Sequence, residues 1–346
     1  MTNLIVNELK IENFKSIKSL TLKPKRVNLF IGKPNTGKSN ILEALNLFCL
    51  PALAEIGSFV RYEKPSHLFY DQNIKQRVSV SAGNFSTQIT MQNGQYHFVF
   101  SEHLQVQVLD IGSQHRHLNV DAIFNEQGKL LGDPETLERL KQFNVKFKKY
   151  EFRKDWKGEV QKHLAHLQVP FGENIFYMLE THPELFERVA GFFTQYGLDL
   201  VLNQESDTML MQKKIGNRVF QLPYSLVADT LQRMIFYLAA IKTNKESVLI
   251  FEEPETHSFP LYIQRLALEI TNSIENQFFI ATHSPYLFNT ILEKAPKEHV
   301  AVFITYFENH ETKVMLLSEE DKSEVMNYGM DVFFHLDEFI TEKQLQ

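Results

Sequence analysis

The chain has 346 residues with 43% hydrophobic and 23% charged content, proportions that exclude a disordered or fibrous protein and fit one large globular domain or two. A net charge of −6 excludes a global basic field, so any contact with nucleic acid has to come from a local patch. A single cysteine, Cys49, excludes an internal disulfide and suits the cytoplasm; no run of 18 apolar residues is present to span a membrane, and the start at Met1–Leu4 lacks the pattern of a signal peptide.

Residues 4–14 alternate as a strand does, and Leu20–Leu22 and Val27–Ile31 read as two more. Directly after them, Gly32-Lys33-Pro34-Asn35-Thr36-Gly37-Lys38-Ser39 fits G-x-x-x-x-G-K-[ST]. Asn40 to Leu50 then carries apolar residues at helical spacing. Strand, glycine loop and helix form the context a phosphate cradle needs. The glycines let backbone N–H groups close on phosphate oxygens, and the helix N-terminus adds partial positive charge. In that reading Lys38 reaches the β- and γ-phosphates of ATP and Ser39 ligates Mg²⁺.

From Arg77 to Asn119 the period is two, with Asn93-Gly94 as a hairpin turn, so an antiparallel β-meander is expected. His115 and His117 flank Arg116 there without the further ligands a metal site requires, and read as a strand edge. Asp133-Pro134-Glu135-Thr136 has the form of a helix start, and Asn174–Tyr196 has helical spacing. Lys146–Lys157 interleaves basic and aromatic residues. It reads either as a DNA-tracking patch or as a solvated face with its aromatics turned inward. Short strands follow at Leu198–Leu202, Thr208–Met211 and Val219–Leu222, then a buried helix over Leu226–Ile241.

Ser247–Phe251 is an apolar strand ending in Glu252-Glu253-Pro254-Glu255. Beside a phosphate loop, Glu252 would face Mg²⁺ and Glu253 would serve as general base. Phe278–Ala281 is a second such strand, ending in Thr282-His283-Ser284, and parallel strands deliver their C-terminal ends to a ligand crevice. His283 there would donate to the γ-phosphate. Val300–Thr305 and Lys313–Leu317 are two more strands, and Glu319-Glu320-Asp321 reads as a solvated acidic turn.

Together, Ile11–Ile17, Gly32–Leu45, Glu252–Pro260 and Ala281–Pro285 resemble the ABC-type ATPase heads of the SMC/RecF class. More narrowly they resemble the prokaryotic AAA-family ATPases grouped with the ATPase half of the OLD nucleases. The resemblance implies an α/β P-loop NTPase head with a mixed sheet and β-meander, plus an inserted helical arm. The expected division is an ATPase lobe from 1–62 and 217–346, a meander lobe at 63–133 and a mainly helical insertion at 134–216. The resemblance also implies that Lys15 and Ser16 lie near the nucleotide, and that ATP closes a dimer over a glycine-rich signature turn. That turn falls at Ser225–Arg233, where glycine is absent and Ser225, Asp229 or Thr230 is left to substitute. Glu252 stands where Asp is usual, and Ser258-Phe259 where Leu-His is common. Gln72 is a candidate for the glutamine loop, against the simpler reading of a surface glutamine. No Toprim-type acidic set follows Pro285. The expected function is therefore a Mg²⁺-dependent ATPase that dimerises on ATP and regulates a separate nuclease or toxin, or acts on DNA, in anti-phage defence or DNA maintenance. The alternative is a nucleotide-gated scaffold with little hydrolysis. The signature and the long insertion argue against a transporter ATPase and a small-molecule kinase.

Overall fold

Alternating burial makes a hairpin of the first two strands, β1 (Leu9–Phe14) and β2 (Ile17–Leu22), with Leu9, Ile11, Phe14 and Ile17 turned inward. The computed structural model describes residues 4–49, 56–108, 112–125, 129–131, 146–154, 156–328 and 332–344, so the expected helix start at Asp133 lies outside the described residues. β3 (Val27–Gly32) is buried along its whole length, as a strand covered on both faces must be. The phosphate-loop helix α1 (Lys38–Asn46) follows and tightens into a 3₁₀ turn at Leu47–Cys49.

The meander consists of β4 (Val78–Ala82), β5 (Phe85–Gln92), β6 (Gln95–Val108) and β7 (Gly112–Phe124), closed by the short β8 (Leu130–Leu131). Asn93, at φ 50°, and Gly94, at φ 80°, form the expected turn between β5 and β6. Because β1 pairs with β4, the N-terminal hairpin extends this sheet to seven antiparallel strands in the order β2-β1-β4-β5-β6-β7-β8.

β9 (Phe147–Tyr150) precedes two helices, α2 (Ile175–Thr181) and α3 (Pro183–Thr194). The single helical stretch expected over Asn174–Tyr196 is broken at His182. Pro183 lacks an N–H and holds the residue before it out of the helical region, here at φ −121° and ψ 87°. Three strands, β10 (Asp199–Asn203), β11 (Thr208–Ile215) and β12 (Arg218–Pro223), form a small antiparallel sheet. The apolar helix α4 (Asp229–Thr243) starts three residues later than the spacing predicts, leaving Leu226 exposed in a preceding turn.

The remaining elements alternate: β13 (Val248–Glu252), α5 (Pro260–Asn272), β14 (Gln277–Ala281), α6 (Pro285–Lys294), β15 (Val300–Glu308), β16 (Glu311–Leu316), α7 (Glu319–Tyr328) and α8 (Leu336–Gln344). The second sheet has the order β16-β15-β3-β14-β13-β9, with β15, β3, β14, β13 and β9 parallel. Its two faces explain the two cores. Val27, Leu29 and Ile31 of β3 pack with α4, α5 and α6, while Phe30 stacks with Phe279 and Phe303 on the other face, toward α1. α1 is thus sandwiched between the six-stranded and seven-stranded sheets.

Two expectations are refined. Glu319 and Glu320 are exposed as expected, but with Asp321 they form the first turn of α7. Ser318 and Asp321 cap each other reciprocally, Asp321 N–H to Ser318 Oγ at 3.0 Å and Ser318 N–H to Asp321 at 2.9 Å. Of the two readings of Lys146–Lys157, inward-turned aromatics fit its first part, which is β9 of the core sheet rather than a solvated face. Phe147 and Tyr150 are buried, Lys148 is buried with its Nζ donating to Asn244 at 2.6 Å, and Lys149 and Arg153 both pair with Glu151.

Candidate functional site

The loop Gly32–Ser39 leaves β3 with three residues at positive φ: Gly32 at 151°, Asn35 at 61° and Gly37 at 98°. Glycine at 37 is required twice over: the backbone angle disfavours a side chain, and a Cβ would overlap the Thr312 side chain of β16. Thr36 Oγ1 donates to Lys33 O at 2.8 Å and lies 2.7 Å from Thr305 Oγ1, which ties the loop to β15. Lys33, Pro34 and Asn35 form its exposed crest, where Lys33 Nζ pairs with Asp337 of α8 at 2.6 Å. No side chain caps α1 and no acid sits in its first turn, so its positive end is uncompensated and suited to an anion. Lys38 Nζ is buried and donates to the carbonyls of Gly32 and Lys33, each at 2.8 Å. Burial lowers the Lys38 pKa, opposed by Glu253 and then Glu252.

Glu252 ends β13, and its carboxylate accepts a hydrogen bond from Ser39. Two hard oxygen ligands therefore meet beside the loop, and this donor set fits Mg²⁺. Arg61 reaches Glu252 at 3.4 Å and is anchored by Nε donating to Glu43 at 2.7 Å. Glu43, buried on α1, also pairs with Lys15, whose Nζ donates to Arg61 O at 2.6 Å. Burial lowers the Lys15 pKa, offset by Glu43. Asn40 Nδ2 donates to Ser16 Oγ at 2.6 Å, and Ser16 Oγ lies 2.7 Å from Thr312 Oγ1. The loop, α1 and the β1–β2 turn are thus one network.

Glu253 stands just past the strand at φ 45°, with its N–H donating to Ala281 O at 2.9 Å. Its carboxylate lies 3.4 Å from His283 Nε2, and both side chains are partly open to solvent. Burial, then Lys38, lowers the His283 pKa, against Glu253. The shift favours the neutral imidazole, in which one ring nitrogen is a donor.

Lys15, Ser16, Arg61, Tyr62, His67, Phe69, Tyr70, Gln72 and His310 line a cleft of about 860 Å³ next to this network. Gln72 is exposed at its mouth with φ 54°. At the signature position, α4 begins after Ala228 with no side-chain cap. Thr230 Oγ1 donates to His257 O at 3.0 Å, and Asp229 lies 3.9 Å from Arg233.

The structure brings Lys38, Ser39, Glu252, Glu253 and His283 to the same ends of β3, β13 and β14, with Lys15, Ser16 and Asn40 alongside. Glu43, Arg61 and Glu255 belong to the same neighbourhood and receive no role from the motif reading. Glu43 carries a signal, a carboxylate on the apolar face of a helix, and Glu255 another, as the third acid of its turn. Arg61 carries none.

A family model described as AAA ATPase domain matches residues 5–182, more than half of the chain. A second, described as an AAA domain of the AbiEii-toxin, type IV toxin–antitoxin kind, matches residues 182–289. Among curated proteins none matches the chain. Among solved structures, an SMC head bound to the C-winged helix domain of ScpA is similar in fold, with 15% identity, 92% of this chain and 99% of that chain covered, and a TM-score of 0.52. The SMC head domain from Thermotoga maritima aligns at 13% identity over 91% of this chain and all of that one, with a TM-score of 0.43. An SMC head with an extended coiled coil, bound to the C-terminal domain of ScpA derived from Pyrococcus furiosus, aligns at 12% identity over 93% and 98%, with a TM-score of 0.48. The chain belongs to the AAA ATPase domain family and has the fold of an SMC-type ATPase head.

Proposed function

We propose that the chain hydrolyses ATP with Mg²⁺ and uses the ATP state to close a dimer that regulates a separate effector in the cytoplasm. The observation behind this is the convergence of Lys38, Ser39, Glu252, Glu253 and His283 on the crest of one sheet. Ser39 and Glu252 are the residues to hold Mg²⁺, which when bound would offset phosphate charge. Lys38 exchanges the carbonyls of Gly32 and Lys33 for phosphate oxygens. Glu253 takes the proton of the attacking water, and a His283 ring N–H donates to the terminal phosphate. The cleft bordered by Lys15 and Ser16 receives the nucleoside.

The effector is a nuclease or toxin supplied by another chain, in anti-phage defence or DNA maintenance. The toxin–antitoxin description of the matching AAA model and the ScpA-bound SMC head of similar fold both support a partner protein. One experiment tests the reading: ATP turnover, and mass in solution with and without Mg-ATP, for wild type and Glu253→Gln. Turnover by wild type alone, with an ATP-driven dimer in the variant, is expected. Turnover unchanged by the substitution overturns the assignment of Glu253.

A second reading, a nucleotide-gated scaffold with little hydrolysis, is favoured by Val227-Ala228 at the start of α4, where glycine would let phosphate approach backbone N–H groups. Tight binding with negligible turnover in the presence of partner and DNA would select it.

A further inference from the structure

Glu255 is 9% exposed, and one carboxylate oxygen, Oε2, is buried without a hydrogen-bond partner among the described residues. A buried carboxylate with an unsatisfied oxygen carries a desolvation penalty that needs a reason. Its other oxygen holds one. Oε1 accepts from Thr282 Oγ1 at 2.6 Å and from the His283 N–H at 2.9 Å, binding the end of β13 to the end of β14. The chain of bonds continues: Thr282 Oγ1 accepts from Ser284 N–H at 3.0 Å, and Ser284 Oγ caps α6 through Leu287 N–H at 3.3 Å. On the Glu255 side, Ser258 N–H donates to Glu255 O at 2.9 Å, and Thr256 donates to Glu253 O through N–H at 3.1 Å and Oγ1 at 2.8 Å. Glu253 and His283 thus project from two turns that the Glu255 carboxylate joins, beside the backbone bond from Glu253 N–H to Ala281 O.

We propose that Glu255 is a positioning residue: it fixes the Thr282–His283 backbone so that the imidazole meets Glu253. This rests on the reading of Glu253 and His283 as the hydrolytic pair, and it adds a residue that acts through the Thr282–His283 backbone. Thr282 is fully buried and packs whether or not a carboxylate faces it, so a filler at position 255 would serve the core alone. What the carboxylate adds is direction, since two donors on one oxygen fix both the hydroxyl rotor and the following peptide plane. Geometry of this kind is where small displacements carry large rate costs.

The experiment has two arms. In the first, Glu255→Ala is expected to lower kcat by about 10- to 100-fold with KM for ATP and nucleotide affinity unchanged, and Glu255→Gln, which keeps the acceptor oxygen, to restore most of the loss. A kcat within twofold of wild type, or a parallel loss of affinity, overturns the proposal. The second arm does not depend on turnover. The His283 imidazole, identified by its loss in His283→Gln, is titrated by NMR with and without Glu253→Gln. In the wild-type and Glu255→Gln backgrounds Glu253→Gln is expected to lower the His283 pKa; in Glu255→Ala this response should vanish. An undiminished response in Glu255→Ala overturns the role of Glu255 even if the protein proves to be no ATPase. A lost response with no turnover in wild type keeps the positioning role and removes the hydrolytic reading. If Glu255→Ala does not fold, the isosteric Thr282→Val breaks the same bond and is expected to weaken the response in the same sense.

Discussion

Ser39 and Glu252, 213 residues apart, are hydrogen-bonded to each other across the gap between α1 and β13. The Glu252 carboxylate spans that gap with one methylene more than an aspartate would have. Glu252→Asp withdraws it by roughly one C–C bond, about 1.5 Å. The expected outcome is an increase of several-fold in the Mg²⁺ concentration for half-maximal ATP turnover, with little change in thermal stability. An unchanged Mg²⁺ dependence would remove Glu252 from the ion's surroundings.

In the proposed function Lys38 exchanges its two carbonyl contacts for a phosphate. Lys38→Met keeps the stem and removes the charge. Nucleotide affinity is expected to fall by roughly 10- to 100-fold, the worth of one or two charge-assisted hydrogen bonds. Calorimetric titration with ATP and with adenosine separates the cases: adenosine binding should be unaffected, and an equal loss for both ligands would point to a collapsed loop.

Gly37→Ala sets a methyl against Thr312 at a backbone angle that disfavours it. A destabilisation of about 2–4 kcal/mol is expected from strain and overpacking together. Adding Thr312→Ala removes the Oγ1 and Cγ2 but keeps the Cβ at 2.9 Å, so it should recover only part of the steric cost and leave that contact plus about 1–2 kcal/mol from the backbone. Full recovery in the double variant would mean that the φ angle costs nothing.

Glu43 holds two cations from inside α1. Glu43→Gln leaves Lys15, with 12% of its side chain exposed, without its counter-charge, while Arg61 can turn to water. The expected loss is about 3 kcal/mol, the lower end for breaking a buried pair, read by denaturant unfolding. A loss below 1 kcal/mol would show that Lys15 is solvated in solution.

Lys148 gives a pH dependence. Burial, then Lys146, pushes its pKa down to about 8. Below pH 8 both folded and unfolded states carry the proton and the full desolvation cost stands. Between about pH 8 and the unfolded value near 10.4 the folded state binds fewer protons, so stability rises with pH. Relative to Lys148→Met, the wild type should therefore gain about 3 kcal/mol between pH 7 and pH 10.5. A gap that is flat with pH would place the ammonium in solvent.

How much of this could be read from the chain depends on the range of the interaction. The strand–loop–helix at Val27–Asn46 rests on contiguous residues, as do the strand ends at Glu252 and Ala281, and periodicity exposes them. β9 stayed hidden because Lys148 and Lys149 look solvent-facing until Asn244, 96 residues away, supplies the partner for Lys148. The break at His182 follows a local rule that a regular apolar spacing masks. Arg61 enters the site through Glu43, and the threonines that demand Gly32 and Gly37 come from β15 and β16, beside β3 in the sheet but far along the chain. No pattern within one window contains both sides of such a contact.

The order of strands in the parallel sheet also sets a timetable for synthesis. The Thr36 hydroxyl finds Thr305 only after a further 269 residues of chain. At ordinary elongation rates that interval is roughly 13–55 s, during most of which β3 lacks both its neighbours, β14 and β15. A nascent chain halted before β14 should thus expose an unpaired apolar strand and bind no nucleotide, so the phosphate loop matures last although it is made first.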